Sequence, residues 1–396
     1  MKEIPINQYP ELVVLGSTGS VGEQAIDVAR AHAIPVRGIT AHRSVSTVES
    51  QIREFHPDFA VLTDAAAASD LATRVADTST RVLAGFEGIT EMLHTVQTQN
   101  PLGITVENSI LGEAGLLPTL ETLKAGHKLA LANKESLVVG GELVMALAKE
   151  NGTTILPVDS EHCAIFQCLR AGRSEEIKKI LLTASGGPFY GYTKEQLQSV
   201  TKAMTLNHPT WKMGATITVD SATLMNKGFE VIEAVHLFGV SPEQVEVIVH
   251  RESMIHSMVE YIDHSIIAQM SVPDMRHCVQ YALSHPRRLP SEGTLAEADL
   301  FALGKLTFGR PDTNVFPLLA QARSCIQAGG ALPCVLNAAN EIIVAAFLDE
   351  RIRFCDIPEL VTRTVEDLHY TSSWHTYEQL MEADSLARET AANHLS

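Results

Sequence analysis

Leu12-Val13-Val14-Leu15-Gly16-Ser17-Thr18-Gly19-Ser20-Val21-Gly22 is the stretch on which the fold turns. An unbroken apolar run ends at a glycine and leads, through two more glycines, into the amphipathic run 22–33. Short apolar runs bounded by glycine suit a strand buried on both faces, and the run that follows has helical spacing. A glycine turn at such a boundary lets the backbone approach a pyrophosphate, with helix N-terminal N–H groups aimed at its charge. The spacing is GxxGxxG rather than GxGxxG, so taken alone the motif fits an ordinary tight turn nearly as well.

Outward from this stretch the alternation continues. Residues 36–40, 58–63, 81–84, 105–110, 128–132 and 154–157 read as strands, separated by helical patterns such as 45–55. Strand–helix alternation predicts a parallel sheet covered on both faces. Beyond Pro157 the runs 177–183, 216–219, 246–250 and 266–272 read as strands with fewer helices between them. Residues 284–313 are rich in Pro, Gly and Leu. Further on, Leu336, Ala339, Ile343, Ala346 and Phe347 lie on one helical face. The predicted class is α/β: an N-terminal Rossmann-like doubly wound parallel sheet (1–155), an α+β catalytic domain (156–283), a connector (284–313) and a C-terminal helical bundle (314–396).

Composition narrows the function. The chain has 396 residues, 45% of them apolar and 19% charged, with 30 Lys plus Arg against 47 Asp plus Glu and a net charge of −17. That balance repels phosphate backbones and anionic lipid, which argues against nucleic-acid and membrane-surface roles. Any phosphorylated ligand needs a local basic pocket. There is no apolar run of membrane-spanning length, and the N-terminal residues lack the look of a signal or transit peptide. Six cysteines without regular spacing fit reduced thiols, so the expected location is cytoplasmic.

Ala41-His42-Arg43-Ser44 closes the second strand with no acid, so Arg43 and Ser44 suit a 2′-phosphate and favour NADPH over NADH. Asn133-Lys134-Glu135 follows an apolar strand, at the sheet end where ligands of open α/β sheets bind, although a polar helix start reads the same way. In Pro157-Val158-Asp159-Ser160-Glu161 two acids stand two apart. On extended backbone their carboxylates point to one side and suit a hard divalent cation, unless they are simply solvated. Asn226, Lys227 and Glu230 share a helix face, able to hold phosphate and metal side by side or to form an exposed ion pair. Ser185-Gly186-Gly187 is a candidate anion nest, and Asn207-His208-Pro209-Thr210-Trp211-Lys212-Met213-Gly214 a candidate mobile flap. His250, His256 and His277 read as structural.

Taken in order, GSTGSVGEQ, LANKESLV, LPVDSEHCAIFQ, TASGGPF, HPTWKMG, VDSATLMNKGFEVIEA and LNAANEIIVAAFL closely resemble the 1-deoxy-D-xylulose 5-phosphate reductoisomerases. The resemblance implies NADPH- and metal-dependent rearrangement and reduction of that sugar phosphate to 2-C-methyl-D-erythritol 4-phosphate in the non-mevalonate isoprenoid pathway, by a homodimer. It puts Asp159, Glu161 and Glu230 on Mg²⁺ or Mn²⁺, with Co²⁺ a further candidate. Ser160 and Lys134 would meet the substrate's carbon chain. Ser185, His208, Ser221, Asn226 and Lys227 would hold its phosphate, and Trp211 would close over it. Thr18, Gly19, Ser20, Val21, Arg43, Ser44, Asn133, Glu135, Met213 and Gly214 would line the NADPH site. Glu161 and Lys134 are both candidates for taking the C4 hydroxyl proton.

Two departures stand out. His42 occupies a position where members commonly have glycine, and the segment before Leu12 is longer than the resemblance leads one to expect. The competing readings are another NADP-linked oxidoreductase such as a semialdehyde or homoserine dehydrogenase, a cofactor-free sugar-phosphate isomerase, and a non-catalytic NADPH-binding regulator. Metal dependence separates the first of these from the reductoisomerase.

Overall fold

A computed structural model describes residues 9–211, 213–291, 295–368, 374 and 376–395. Most of the long N-terminal segment lies outside the described residues. The chain forms two compact units from interleaved segments.

The first unit comprises Met1–Asn133, Ala146–Cys163 and Asp274–Ala296. Its sheet is built from β1 (Glu11–Leu15), β2 (Val36–Ala41), β3 (Phe59–Leu62), β4 (Arg81–Ala84), β5 (Ile104–Asn108), β6 (Lys128–Leu131) and β7 (Ile155–Pro157). All pairings are parallel, in the order β4-β3-β2-β1-β5-β6-β7. The order reverses between β1 and β5, and the carboxyl ends of strands at such a switch point are where open α/β sheets bind ligands. Every residue of β1 is buried, as expected for a central strand covered on both faces. Val13, Leu15, Val61, Val106, Ile89, Met92 and Leu93 close the core on one side. On the other side the helix Arg276–Ser284 packs against Ser20–Ala31, the helix behind the glycine turn.

A fully buried carboxyl group sits inside this sheet. Glu107 of β5 is 0% exposed and lies between Val14 of β1 and Ala130 of β6. It accepts a hydrogen bond from Ser109 Oγ at 3.1 Å, and burial pushes its carboxyl up to about 8.

The second unit comprises Lys134–Met145, Ala164–Pro273 and Glu297–Ser396. Its sheet has the order β11-β10-β8-β9, from β8 (Ile177–Ala184), β9 (Val245–Val249), β10 (Ile255–Tyr261) and β11 (Ile266–Met270). β9 is parallel to β8, whereas β10 is antiparallel to both β8 and β11. The helices Met225–Phe238, Leu318–Ala328 and Leu332–Leu348 share one apolar core with β8 and β9. Leu336, Ala339, Ile343, Ala346 and Phe347 are all buried, as their shared face predicts.

Two stretches differ from the sequence reading. Residues 216–219, expected as a strand because of Thr216, Ile217, Thr218 and Val219, are helical within Ala215–Thr223. Gly214 caps that helix, Thr218 Oγ1 bonds back to the Gly214 carbonyl at 2.7 Å, and Val219 is fully buried. Tertiary burial overrides the β-branched preference. Conversely β10 escaped notice because it is buried on both faces and shows no alternation.

Candidate active site

In the first unit the glycine turn is built by close packing. Gly16 has φ +89°, and its N–H and that of Ser17 donate to the Thr40 carbonyl at 3.2 and 2.8 Å. Ser17 Oγ donates to Gln51 Oε1 at 2.7 Å, and Gln51 Nε2 returns a bond to the Ser17 carbonyl at 3.0 Å. A Cβ on Gly22 would lie 2.1 Å from the Gly16 oxygen, so only glycine lets the helix start this close to the strand. Gly19 is the N-cap of the helix Ser20–Ala31, and no side chain caps it. The first helical N–H groups are thereby left to an anion, with Thr18, Ser20 and Val21 around them.

At the end of β2 the Arg43 side chain is 70% exposed, and its Nε donates to Asp64 at 2.8 Å. Asp64 follows β3 and caps the next helix by accepting from Ala67 N at 2.9 Å. That backbone bond first, and Arg43 second, lower its carboxyl below the usual range. Reading the β2 end alone missed Asp64, since the acid arrives from the neighbouring strand. His42 Nδ1 is tied to Thr63 Oγ1 at 2.8 Å, and Ser44 is the N-cap of Val45–Phe55. Asn133 is buried after β6 and its Nδ2 donates to the carbonyls of Ile110 and Gly112 at 2.8 and 2.9 Å. It therefore fixes the loop that follows β5, on the other side of the switch point.

After β7 the chain delivers Asp159, Ser160 and Glu161. Asp159 and Glu161 offer carboxylate oxygens within 4.8 Å of one another, the separation that a shared divalent cation relieves. Ser160 Oγ donates to Glu161 Oε2 at 2.5 Å.

The second unit holds the remaining residues. Glu230 is 1% exposed in the helix Met225–Phe238. Asn226 Nδ2 donates to its Oε1 at 2.5 Å, Lys134 Nζ donates to the same oxygen at 3.2 Å, and Lys227 pairs with its Oε2. Lys134 also donates to Asn226 Oδ1 at 2.8 Å. The i,i+3 and i,i+4 spacing predicted this face, but exposure was expected if it were only a surface ion pair. Here Lys134 and Lys227 are buried as well. Two buried ammonium groups share this one carboxylate. Glu135 opens the helix Glu135–Glu150 immediately beyond Lys134.

The glycine loop follows β8. Gly186 and Gly187 both have left-handed backbone, φ +77° and +66°. A Cβ on Gly187 would sit 2.7 Å from the Ser221 carbonyl, so the loop lies directly against the last turn of Ala215–Thr223. His208 Nδ1 accepts from the N–H groups of Thr210 and Trp211 at 3.2 and 2.9 Å, and Nε2 lies 3.1 Å from Ser185 Oγ. Burial, then the nearby Arg251 guanidinium, pull the imidazole down to about 4, so it is neutral near pH 7. With Nδ1 accepting, the proton is on Nε2 and Ser185 accepts it. The Trp211 ring stands edge-on to His256 at 6.1 Å, Met213 is half-buried and Gly214 is exposed.

Sequence reasoning also missed Asp220 and Asn340. Asn340 Nδ2 donates to the buried Asp220 carboxylate at 2.8 Å, and burial pushes that carboxyl up to about 7. The pair joins the residue before Ser221 to the helix Leu332–Leu348. Both residues lie in quoted motifs, yet no spacing rule links positions so far apart.

Residues 12–141 match the 1-deoxy-D-xylulose 5-phosphate reductoisomerase family, residues 155–238 its C-terminal domain, and residues 270–390 the DXP reductoisomerase C-terminal domain. A protein of Phocaeicola vulgatus named 1-deoxy-D-xylulose 5-phosphate reductoisomerase is 45% identical over 388 residues, covering 98% of this chain and 99% of that protein. One of Desulfitobacterium hafniense with the same name is 48% identical over 380 residues, covering 95% and 97%. Among solved structures, the Zymomonas mobilis enzyme in complex with NADPH superposes with TM-score 0.90 at 39% identity, covering 98% of this chain and all of that one. DOX-P reductoisomerase in complex with NADPH, fosmidomycin and magnesium gives 0.89 at 37%, covering 98% of each.

Proposed function

The chain belongs to the 1-deoxy-D-xylulose 5-phosphate reductoisomerase family, and from that premise we propose the roles of its residues. It is an NADPH- and Mg²⁺-dependent enzyme that rearranges 1-deoxy-D-xylulose 5-phosphate and reduces the product to 2-C-methyl-D-erythritol 4-phosphate. The observation that carries the residue assignment is the buried cluster of Lys134, Asn226, Lys227 and Glu230. A simple NADP-linked dehydrogenase has no use for it, whereas a sugar phosphate beside a divalent cation does.

In this reading Asp159, Glu161 and Glu230 hold the metal, and their hard oxygens fit Mg²⁺. When bound, the metal supplies Lewis acidity to a substrate ketone and NADPH supplies the hydride. Ser185, His208, Ser221, Asn226 and Lys227 grip the phosphate, which anchors the substrate at a point remote from the bonds that change. Lys134 and Ser160 face its oxygen-rich carbon chain. Glu161 and Lys134 both remain assigned to the C4 hydroxyl proton. Trp211 covers the substrate and excludes water. Thr18, Gly19, Ser20 and Val21 present helix N–H groups to the pyrophosphate, Arg43 and Ser44 take the 2′-phosphate, and Asn133, Glu135, Met213 and Gly214 complete the NADPH site. Arg43 exchanges part of its bond to Asp64 for the phosphate.

The test is NADPH absorbance on addition of 1-deoxy-D-xylulose 5-phosphate, with Mg²⁺ and then with excess EDTA. Substrate-dependent oxidation that stops on chelation is the expected result. Oxidation that survives EDTA would point to a metal-independent dehydrogenase.

We also assign the partner to a second copy of the chain, meeting at β11. This strand pairs only with β10 among the described residues, and its Ile266, Ile267 and Met270 are 52%, 37% and 37% exposed. An apolar open edge is a template for pairing, and a two-fold axis would continue the sheet. Ile266→Lys should give a monomer by sedimentation at concentrations where the parent is a dimer; an unchanged dimer would place the interface elsewhere. No helix among the described residues is long and apolar enough to cross a membrane, and no cysteine forms a disulfide. Burial pushes the Cys168 and Cys325 thiols up to about 12, so both stay protonated near neutral pH; we place the enzyme in the reducing cytoplasm, where free thiols persist.

A further inference from the structure

Arg251 lies two residues beyond β9 and belongs to none of the motifs that mark the family resemblance. Its Nη1 donates to the Ser185 carbonyl at 2.8 Å and to the Gly187 carbonyl at 2.6 Å. One guanidinium nitrogen carries two hydrogens, so it serves both oxygens at once. The guanidinium carbon lies 5.7 Å from the centre of the Tyr190 ring, a cation–π contact that further restrains it.

These contacts decide which way the loop points. In a trans peptide the carbonyl and the following N–H face opposite sides. A cation that takes the Ser185 carbonyl therefore turns the Gly186 N–H away from itself. The Gly187 N–H donates to Ser185 Oγ at 3.2 Å, and His208 Nε2 donates to the same oxygen. With its acceptor capacity used, the Ser185 hydroxyl has its own proton left to give to a ligand.

We propose that Arg251 is a positioning residue for the substrate phosphate: it gathers the loop's carbonyls on one side so that its N–H and hydroxyl donors face the phosphate on the other. It also places a positive charge behind that face, adding to the field that a phosphate meets. The proposal rests on the assignment of Ser185 and His208 to the phosphate.

The experiment compares R251Q, R251K and S185A with the parent enzyme, using inorganic phosphate as a competitive probe alongside full kinetics. A hydrogen bond to a charged group is worth about 1.5–3 kcal/mol, so R251Q should raise the KM for the sugar phosphate and the Ki for inorganic phosphate by roughly tenfold. The KM for NADPH should stay within about twofold, because none of the residues assigned to the dinucleotide lies in this loop. The His208 imidazole, followed by NMR, should titrate higher in R251Q. R251K keeps the charge without the fork and should recover part of the phosphate affinity; it also serves as the test if R251Q does not fold. An unchanged phosphate Ki, or equal rises in both KM values, would overturn the proposal. If S185A leaves the phosphate Ki unchanged, the assignment of this loop to the phosphate fails; if S185A weakens phosphate and R251Q does not, only the role of Arg251 fails.

Discussion

Glu230→Gln should lower metal-dependent turnover by about a thousandfold or more, roughly 4 kcal/mol, while NADPH affinity changes less than about twofold. Glutamine fills the same volume and can still bond Asn226, so the change is one of charge. The carboxylate is buried between Lys134 and Lys227, and its loss removes a negative charge that both ammonium groups face. Breaking a buried pair from one side costs about 3–5 kcal/mol. The variant should therefore melt lower than the parent, and inorganic phosphate should restore more of its Tm than it adds to the parent. Glu230→Asp keeps the charge and should retain measurable turnover at raised metal concentration. Near-normal turnover by Glu230→Gln at ordinary Mg²⁺ would remove Glu230 from the metal site.

Glu107→Gln should make the enzyme more stable at neutral and alkaline pH, by as much as roughly 5 kcal/mol if burial acts in full. An ordinary glutamate ionises near 4.5, whereas inside the sheet burial holds this one at about 8. Below about pH 4.5 the folded and unfolded forms both carry the proton, and the stability associated with this group is fully present. As the pH rises the unfolded chain releases the proton and the folded one retains it, so stability is lost progressively until the pH passes about 8. Glutamine keeps a partner for Ser109 and has no proton to release. The Tm of the parent should fall relative to that of Glu107→Gln between pH 5 and pH 8; a constant difference across that range would show that Glu107 ionises normally.

The contrast between these two acids shows what the amino-acid order carries. Glu230 was legible because its partners Asn226 and Lys227 lie within one helical turn, and periodicity alone puts them on one face. Lys134 reaches the same carboxylate from 96 residues away; its place after an apolar strand marked it as a ligand candidate, but no spacing rule ties it to Glu230. Glu107 was hidden in plain sight: Thr105 to Asn108 read correctly as a strand, but nothing local says that an acid in it faces a sealed interior. Asp64 and Arg251 were missed for a related reason. Each acts through a neighbour brought close by strand pairing, Asp64 by β3 beside β2 and Arg251 by β9 beside β8. The parallel sheet itself was read almost completely, since each of its strands is a short apolar run with a turn at its end. The second sheet was read less well, because β10 lacks alternation and residues 216–219 trade a β-branched preference for a place in the helical core.

The interleaving of the two units bears on how a ribosome delivers this protein. The first unit is made of three separate stretches, and its last piece, Asp274–Ala296, includes the helix that packs on Ser20–Ala31. Translation emits the glycine turn and all seven strands of the parallel sheet first, then β8 to β11, and only afterwards the cover. For that interval the first helix lacks the neighbour that packs against it in the finished molecule. The nascent chain thus carries an unfinished half-domain through much of its synthesis, a period in which holding factors or a short delay in folding protect it from its neighbours.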